Sequence, residues 1–466
     1  MHPLYWLLKE QEKVKTIRPA FANIADFCGL QKVKANIEYT PSRHCLRVPC
    51  PEGELLYHTL TGALVLLPEG LTGKGGREEL IKNWFLVPAD FDETRHADDM
   101  KRIMAMLKPS AREKTNFTIL TTTDCNARCF YCYELGIRRL PMAEQTAREA
   151  ALYIACACGG KPVSLRWFGG EPLYNRQAID IICKTLGQNG ICYESSMVSN
   201  GFYLDEETAR TAVDDWHLKR VQITIDGTET IYNRTKAYID AEQNPYARVM
   251  GNILSALGIG ISVTIRLNMD ARNAGDLLRL LDDVRARFEG RDNLDIYIAL
   301  LHEFEGKIHR HETDRQAEEA YSLLRDKVEA MGMLRRRSLL DGIPVNNCMA
   351  DNDACETILP DGRTGRCEHF SEAMVTGTIW DEARDEAVIR RWKEPLRVSE
   401  CQECALYPQC RKLKLCEWNE EGCSGLDRAI KTDGLKRKIL AAYREYKKEK
   451  ISNEAEEQLY FDRAWQ

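Results

Sequence analysis

The sequence predicts an α/β fold whose centre is a partial, parallel (β/α)6 barrel, with one smaller unit on each side. Between residues 116 and 301, apolar runs suited to strands alternate with amphipathic helical patterns, as they do in parallel sheets. Short strands precede this region, and the composition shifts to cysteine and glycine after residue 347. These observations place the domain boundaries at 1–110, 111–335, 336–426 and 427–466.

Composition and charge narrow the possible classes of function. The 466 residues suffice for two or three domains, and the net charge of -6, with scattered Lys and Arg, does not predict a nucleic-acid groove. The sequence has no apolar run of membrane-spanning length, and Met1–Leu8 lacks the basic start of a signal peptide. Eighteen cysteines then predict metal or redox chemistry in the reducing cytoplasm instead of disulfides.

Before residue 110 we predict a small α+β module, and we assign no chemistry to its first 40 residues, which have mixed helix and loop patterns. Its short strands are joined by turns that contain Gly53 and Gly62. The predicted strands are Leu46–Val48, Glu54–His58 and Ala63–Leu67, and the predicted helices are Arg77–Trp84 and Asp92–Leu107.

The barrel is predicted from six strands with helices between them, which makes it shorter than the eight-stranded TIM barrel. The strands are Phe117–Thr123, Val163–Phe168, Ser195–Ser199, Arg220–Ile225, Ile261–Leu267 and Asn293–Leu301. The helices are Met142–Cys158, Arg176–Gln188, Glu206–Asp215, Arg248–Leu257 and Asp276–Phe288. A connecting helix over Glu318–Met331 follows, and a charged helical tail is predicted after Asp427.

Three cysteines follow the first barrel strand with the spacing C-x3-C-x2-C: Cys125, Cys129 and Cys132. They occupy the loop at the carboxyl end of a strand, where α/β barrels carry their chemistry. Structural zinc usually takes four ligands from separated knuckles, whereas an iron–sulfur cube held by three cysteines keeps one iron free for a small molecule. A zinc loop or three buried structural thiols are the alternatives.

This loop has aromatic residues inside its second gap and Tyr133-Glu134 after it, and it resembles the signature of the radical S-adenosylmethionine (SAM) enzymes. The resemblance implies a [4Fe–4S] cluster whose open iron is chelated by the amino and carboxylate groups of SAM. It also implies a 5′-deoxyadenosyl radical that abstracts hydrogen from an unactivated C–H bond. The protein then has to hold that bond near the radical and exclude water.

A glycine-rich turn ends the second strand, with the sequence Gly169-Gly170-Glu171-Pro172. Adjacent glycines let the backbone approach a ligand closely, and Pro172 fixes the exit of the chain. In the radical SAM family, a turn of this kind binds the amino group of the SAM methionine moiety. Its position after the cysteine loop is a second, independent match.

Polar residues also follow the third and sixth strands. Ser199 and Asn200 have short side chains suited to a sugar hydroxyl, and they resemble the family's ribose-contacting segment. An ordinary turn is the alternative. His302 and Glu303 are interpreted as polar loop residues in preference to substrate ligands.

The ends of the fourth and fifth strands supply three further candidates for cofactor binding. Asp226 ends the fourth strand, and Thr224 lies two residues earlier on the same face. Arg266 is near the end of the fifth strand, and an arginine that points into a barrel needs an anionic partner. The SAM carboxylate is one candidate, and a structural ion pair with Glu171 or Asp226 is the other.

A second set of cysteines lies in the extension. Cys348, Gly362 and Cys367 give C-x13-G-x4-C, with Cys355 between them. Five more cysteines follow: Cys401, Cys404, Cys410, Cys416 and Cys423. This arrangement resembles the SPASM extension of radical SAM peptide-modifying enzymes, which carries two auxiliary [4Fe–4S] clusters.

The resemblance assigns the eight cysteines to two sites. The first auxiliary cluster would be held by Cys348, Cys355, Cys367 and Cys416. The second would be held by Cys401, Cys404, Cys410 and Cys423. Five residues, where the family has three, separate Cys410 from Cys416, so which cluster Cys416 and Cys423 bind stays open. A pair of zinc ribbons is the alternative, which the Cys401-x2-Cys404 spacing would allow.

Three functions remain. Sulfatase-maturating enzymes share both cysteine sets, but their radical loop lies near the N-terminus, and Asp follows the cysteine matched to Cys367, where this chain has Glu368. The N-terminal module resembles the recognition domains of precursor-peptide-modifying enzymes, which favours a peptide maturase that forms a thioether or another side-chain cross-link. An iron–sulfur electron carrier is the third candidate, but it needs neither the barrel nor the glycine turn.

The preferred function has implications for residues and partners. Glu368 is a candidate base, unless it only caps a turn or pairs with Arg366. The expected partners are a precursor peptide and a reductant such as flavodoxin or ferredoxin. The auxiliary clusters would take an electron from the product or bind a substrate thiolate.

Overall fold

The computed structural model describes residues 14–20, 36–69, 76–108, 111–239, 244–270, 272–301, 314–335, 339, 344–369, 374–410, 412–416, 423 and 425–464. His302 and Glu303 lie outside the described residues. None of the described helices has an apolar stretch long enough to cross a membrane.

The described residues of the N-terminal module form two antiparallel sheets and two helices. Its strands are β1 (Lys15–Arg18), β2 (Tyr39–Pro41), β3 (Cys45–Cys50), β4 (Gly53–His58), β5 (Leu64–Pro68) and β6 (Leu86–Pro88), and its helices are α1 (Arg77–Lys82) and α2 (Glu93–Met106). One sheet has the order β1-β5-β4-β3, and β2 pairs with β6 in the other. The sequence did not predict β1, β2 and β6, because three or four residues are too few to show an alternating pattern.

The six predicted barrel strands are present and pair in chain order, all in parallel. They are β7 (Asn116–Thr122), β8 (Val163–Gly169), β9 (Tyr193–Ser199), β10 (Leu218–Thr224), β11 (Ser262–Met269) and β12 (Leu294–Leu300). The helices are α3 (Glu144–Ala157), α4 (Arg176–Gln188), α5 (Glu206–Asp214), α6 (Glu229–Lys236), α7 (Pro245–Ile259), α8 (Ala274–Phe288) and α9 (Asp314–Ala330). The partial barrel is therefore confirmed, and α6 is one helix more than the sequence predicted.

The two faces of the barrel sheet differ in polarity. On β10 and β11, Val221, Ile223 and Ile265 are fully or almost fully buried in the main hydrophobic core. Thr224 and Arg266, which face the other way, pair in register and are only half-buried. The apolar face therefore packs on the helices, and the polar face lines the inside of the partial barrel.

The extension adds three short strands to the barrel sheet. They are β13 (Cys355–Ile358), β14 (Arg363–Gly365) and β15 (Gly377–Thr378), and two helices follow, α10 (Glu386–Trp392) and α11 (Gly425–Ala464). β13 pairs in parallel with β7, and β14 folds back against β13. The sequence analysis did not predict these strands, because β13 forms on the free edge of a strand more than 200 residues earlier in the chain.

The C-terminal helix α11 packs against the N-terminal sheet. Ile439 and Tyr443 are buried beside Val48, Leu55 and Tyr57 in one hydrophobic cluster. Farther towards the start of α11, the Arg437 guanidinium lies 3.1 Å from the Glu329 carboxylate on α9. The predicted tail therefore completes the core of the N-terminal module and connects this module to the barrel.

Replacing Ile439 by Ala should destabilise the protein by about 2–5 kcal/mol, because it leaves a cavity between α11 and the N-terminal sheet. Arg444→Ala, on the exposed side of the same helix, is the matched control and should change stability little. Thermal unfolding of both variants measures the difference. Equal melting temperatures for the two variants would show that α11 does not stabilise the module.

Candidate metal and cofactor site

The first three cysteines lie on the loop that leaves β7. All three are partly buried and unbonded to other cysteines, and the Cys132 amide donates to the Cys129 carbonyl at 3.2 Å. Burial raises the pKa of the Cys125 thiol to about 12, and the negative charges of Glu171, Cys129 and Cys132 add to the shift. Ionising these thiols is therefore costly unless a cation lies among them, which is the condition that a bound metal cluster meets.

The glycine turn packs directly on the start of this loop. The Gly170 amide donates to the Thr122 carbonyl at 3.0 Å, and the Glu171 amide donates to the Asp124 carbonyl at 2.9 Å. A Cβ at Gly169 would lie 2.1 Å from the Thr122 oxygen, and one at Gly170 would lie 2.3 Å from the Asp124 oxygen. The close approach that needs glycine is thus made to the chain's own backbone, whereas contact with SAM stays a prediction.

The Glu171 side chain joins the ends of β8 and β9. Its fully buried carboxylate accepts hydrogen bonds from the Asn200 amide at 2.7 Å, the Ser199 hydroxyl at 2.9 Å and the Leu173 amide at 3.1 Å. Burial raises the pKa of Glu171 to about 7, although these hydrogen bonds oppose the shift. Because Glu171 and the Ser199 hydroxyl engage each other, both side chains organise the turn, and a ribose contact by Ser199 stays a prediction. Pro172 begins the 3-10 turn that leaves the strand.

Asn200 connects the end of β9 to the cysteine loop. Its side-chain amide donates to the Asn126 Oδ1 at 2.7 Å and lies 3.7 Å from the Cys125 Sγ. The backbone amide of Ala127 donates to the same sulfur at 3.3 Å. Hydrogen bonds to a ligand sulfur stabilise its negative charge and tune the reduction potential of a bound cluster. The sugar contact that the sequence suggested for Asn200 stays a prediction.

Asp226 forms a buried cluster with Lys236 and Tyr131. The Lys236 ammonium lies 2.9 Å from the Asp226 carboxylate and donates to the Tyr131 hydroxyl at 3.1 Å. The Tyr131 hydroxyl in turn donates to Asp226 at 2.5 Å. Burial disfavours the lysine charge, but the negative charges of Asp226, Tyr131, Cys129 and Tyr232 together outweigh this effect and hold the pKa of Lys236 well above its usual range. The ion pair fixes the ring of Tyr131, a residue that lies between Cys129 and Cys132 in the sequence.

Thr224 and Arg266 are neighbours on β10 and β11, on the inner face of the sheet. The Arg266 guanidinium donates to the Asn268 Oδ1 at 2.9 Å, and the Asn268 amide donates to Asp226 at 3.0 Å. Within the part of the chain that the structure describes, Arg266 forms no ion pair with Glu171 or Asp226. The ion-pair alternative is therefore wrong for the described residues, and binding of the SAM carboxylate by Arg266 stays a prediction.

A cavity of about 750 Å³ opens at the carboxyl ends of β10 and β11 and includes Tyr131 of the cysteine loop. Asp226 lines it, whereas the glycine turn, Ser199 and Arg266 do not. Its charged lining consists of Asp226, Asp270, Asp276, Arg234, Arg272 and Arg279. Three arginines and three aspartates give the lining a formal charge of zero. Arg272 and Arg279 each lie 2.9 Å from their aspartate partners.

In the extension, Cys348, Cys367 and Cys416 come together. Burial is the main cause that raises the pKa of the Cys367 thiol. The negative charges of Glu368, Cys348 and Cys416 raise this pKa further. Cys355 starts β13, where the Arg366 guanidinium donates to its carbonyl at 3.3 Å. Gly362 has φ +81° at the turn between β13 and β14, and a Cβ there would lie 2.3 Å from the Trp380 ring, which explains the glycine of the C-x13-G-x4-C pattern.

The second set also converges. Burial raises the pKa of the Cys401 thiol, and the charges of three further cysteines add to it: Cys404, Cys410 and Cys423. Cys416 thus groups with the first set and Cys423 with the second, despite the longer spacing between Cys410 and Cys416. Among the described residues, no three His, Cys, Asp or Glu side chains are close enough to hold a single metal ion, as a zinc site requires. Binding of larger clusters by the two sets stays a prediction.

Glu368 follows Cys367 of the first auxiliary set. The Cys367 thiol donates towards its carboxylate at 3.9 Å, and the ring of the next residue, His369, lies 4.0 Å from the Tyr133 ring, centroid to centroid. Arg366 instead pairs with Asp353 at 3.0 Å. Among the described residues, Glu368 and Arg366 form no ion pair, so the predicted alternative of such a pair is wrong. The Glu368 charge acts on Tyr133, the residue after the cysteine loop.

Sequence reasoning did not identify Lys236, Asn126 or Tyr131 as parts of the site. The aromatic residues in the second cysteine gap were a usable signal for Tyr131. A single lysine at the end of α6 and an asparagine between two cysteines have no pattern of their own. Only the three-dimensional contacts identify these two.

We expect Gly170→Ala to displace the cysteine loop, because the new Cβ would overlap the Asp124 carbonyl. Overpacking of this kind costs about 1–3 kcal/mol. The variant should melt at a lower temperature, and a thiol reagent should modify its loop cysteines faster. Gly187→Ala is the control, since its Cβ would meet open space in a helix and should stabilise by up to about 1 kcal/mol. Equal thiol reactivity in both variants would contradict a role for Gly170 in holding the loop.

Comparison with known proteins agrees with these features. Residues 119–284 match the model of the radical SAM superfamily. A GTP 3′,8-cyclase from Rhodopirellula baltica is 29% identical over 199 residues, which span 41% of this chain and 52%, about half, of the relative's length. A probable GTP 3′,8-cyclase from Methanocella arvoryzae is 25% identical over 317 residues, 64% of this chain and 97% of that protein.

Solved structures share the fold. Native anSMEcpe with bound AdoMet and Cp18Cys peptide matches with a TM-score of 0.53 at 16% identity, over 74% of this chain and 99% of that one. Streptococcus suis SuiB matches with a TM-score of 0.50 at 11% identity, over 83% and 98% of the two chains. The cysteines between residues 348 and 423 fit a SPASM extension. Residues 119–284, with the cysteine loop and the glycine turn at the carboxyl ends of their strands, form a radical SAM domain.

Proposed function

We propose that this chain is a radical SAM enzyme that modifies a ribosomally synthesised peptide by forming a thioether or another side-chain cross-link. The observation that carries the proposal is the contact between Tyr133, which follows the cysteine loop, and His369, which follows Cys367 and Glu368. This contact supports the proposal because Cys367 and Glu368 directly precede His369, and Tyr133 directly follows Cys132. A substrate side chain held at this junction would then have the candidate base, the first auxiliary cysteines and the radical cluster around it.

The residues of the site have distinct tasks in this proposal. Cys125, Cys129 and Cys132 would hold a [4Fe–4S] cluster, which together with SAM supplies a 5′-deoxyadenosyl radical that abstracts a hydrogen atom. The Ala127 backbone amide and the Asn200 side-chain amide donate to the Cys125 sulfur, and these hydrogen bonds stabilise its thiolate form. The buried Asp226–Lys236 pair keeps the Tyr131 ring in one orientation at the cavity wall.

The cavity favours a peptide over a nucleoside triphosphate. GTP, the substrate in the names of the curated relatives, carries several negative charges, and a site that binds it needs a surplus of cations. The described lining has equal numbers of arginines and aspartates, and two of the arginines are already paired. The likeness to anSMEcpe, which was solved with a peptide bound, is a likeness of fold and is consistent with this choice.

The N-terminal module and the extension complete the proposal. The module would bind the precursor peptide, and the two auxiliary sets would hold [4Fe–4S] clusters. A reductant such as flavodoxin or ferredoxin would supply electrons in the reducing environment of the cytoplasm. Formation of formylglycine, as in sulfatase-maturating enzymes, is the second candidate, favoured by the shared arrangement of a carboxylate directly after Cys367.

The test is anaerobic incubation of the reconstituted protein with SAM, dithionite and the short peptide encoded beside its gene. We expect a peptide product lighter by two hydrogens, together with 5′-deoxyadenosine. A parallel incubation replaces the peptide by GTP. Deoxyadenosine that rises with GTP while the mass of the peptide stays unchanged would overturn the proposal.

Glu368→Gln should lower product formation by about a hundredfold or more while 5′-deoxyadenosine continues to form, because the amide keeps the shape but cannot accept a proton. The exposed Glu382→Gln is the control and should behave as the unmodified protein. Product per deoxyadenosine, measured at equal iron content, separates the roles. A ratio unchanged from that of Glu382→Gln rules out a base at position 368.

A further inference from the structure

Helix α2 of the N-terminal module inserts a lysine between the two loops that carry the auxiliary cysteines. Lys101 is 8% exposed, and its ammonium donates to the Asn347 Oδ1 at 2.8 Å, the Pro408 carbonyl at 3.3 Å and the Cys410 carbonyl at 3.5 Å. Among the described residues, these three acceptors each face the ammonium group, which has three donors. A buried cation is stable only when it is satisfied in this way.

Asn347, the first of these acceptors, belongs to the turn that carries Cys348. Asp351, almost fully buried, accepts hydrogen bonds from the Asn347 amide at 2.9 Å and the Cys348 amide at 3.2 Å. The ammonium of Lys108, just after α2, pairs with the same carboxylate. Two lysines of the N-terminal module therefore fix the turn of the first set.

The other two acceptors, the carbonyls of Pro408 and Cys410, belong to the loop of the second set. Around them, Asp98 of α2 pairs with Arg397, and the Thr59 hydroxyl donates to the Ala405 carbonyl, directly after Cys404. Asp98 and Lys101 are three residues apart and so lie on one side of the helix. That side of α2 rests on the cysteine-rich extension.

We propose that Lys101 is a positioning residue for both auxiliary cysteine sets, which makes the N-terminal module a structural part of the auxiliary site as well as a place for the peptide. Its ammonium keeps the Cys348 turn and the Cys410 loop at a fixed separation. It also adds a positive charge beside both sets, which favours the more negative, reduced form of a bound cluster. This inference rests on the proposed function, since that function assigns clusters to the two sets.

The experiment isolates the auxiliary sets. In a background in which Cys125, Cys129 and Cys132 are all replaced by Ala, reconstituted protein should hold about eight irons per chain, from two four-iron clusters. Iron content, the electron paramagnetic resonance spectrum and the midpoint potentials are measured there. Lys101→Met keeps the length of the side chain and removes the charge, and Arg102→Met, on the exposed side of α2, is the control.

We expect Lys101→Met to lower the iron content from about eight to about four or fewer, or to keep the iron and shift the midpoint potentials to more negative values. Arg102→Met should change neither. If Lys101→Met does not fold by circular dichroism, Asn347→Ala replaces it, because it removes the strongest acceptor and leaves the lysine in place. It should then change the spectrum of one cluster.

Two results would overturn the inference. If Lys101→Met, or Asn347→Ala in its place, matched Arg102→Met in iron, spectrum and potential, Lys101 would not position the auxiliary sets, and the proposed function would stand. If the background that lacks Cys125, Cys129 and Cys132 held no iron, the assignment of clusters to the extension would fail, and this inference with it. Circular dichroism of the cluster-free proteins shows that each comparison is made between folded chains.

Discussion

A contact between two stretches of backbone determines the geometry of this site. The Gly169-Gly170 turn at the end of β8 lies so close to the Thr122–Asp124 backbone that no side chain fits between them. Glu171 extends the contact to the end of β9 through two hydrogen bonds, from the Ser199 hydroxyl and the Asn200 amide. The start of the cysteine loop is thus held by two neighbouring strands and has little freedom to move. The sulfur positions follow from this constraint, and the rest of the site is assembled around them.

Three ion pairs with at least one buried partner surround the cysteine groups. Lys236 pairs with Asp226 below the loop, Arg366 pairs with Asp353 beside the first auxiliary set, and Lys108 pairs with Asp351 at the Cys348 turn. Removing one partner of a buried pair lowers the stability of the fold by about 3–5 kcal/mol. Such pairs therefore constrain the geometry of the site even where they add little net stability. A site built in this way leaves few charges free for a substrate. It suits a ligand whose recognition depends on shape and backbone hydrogen bonds.

The barrel and its cysteine motifs could be predicted from the sequence because their signals are local. Apolar runs that alternate with amphipathic helical patterns predicted β7 to β12. The short spacing of Cys125, Cys129 and Cys132 predicted the cluster-binding loop. What could not be predicted depends on contacts between distant parts of the chain. Strand β13 exists because the edge of β7 accepts it, and the roles of Lys101 and Lys236 depend on acceptors brought close only by folding. Glu171 and Ser199 were singled out, but their engagement with each other was not visible in the sequence.

The packing of α11 on the N-terminal sheet has a consequence for biosynthesis. Ile439 lies 384 positions after Leu55, its neighbour in the same hydrophobic cluster, and a ribosome adds about 5–20 residues per second. The strands of the first sheet therefore wait roughly 20–80 seconds, with an apolar face uncovered, before the helix that covers it has been made. A nascent chain in this state is a natural client for chaperones, because transiently exposed apolar surface is prone to aggregation.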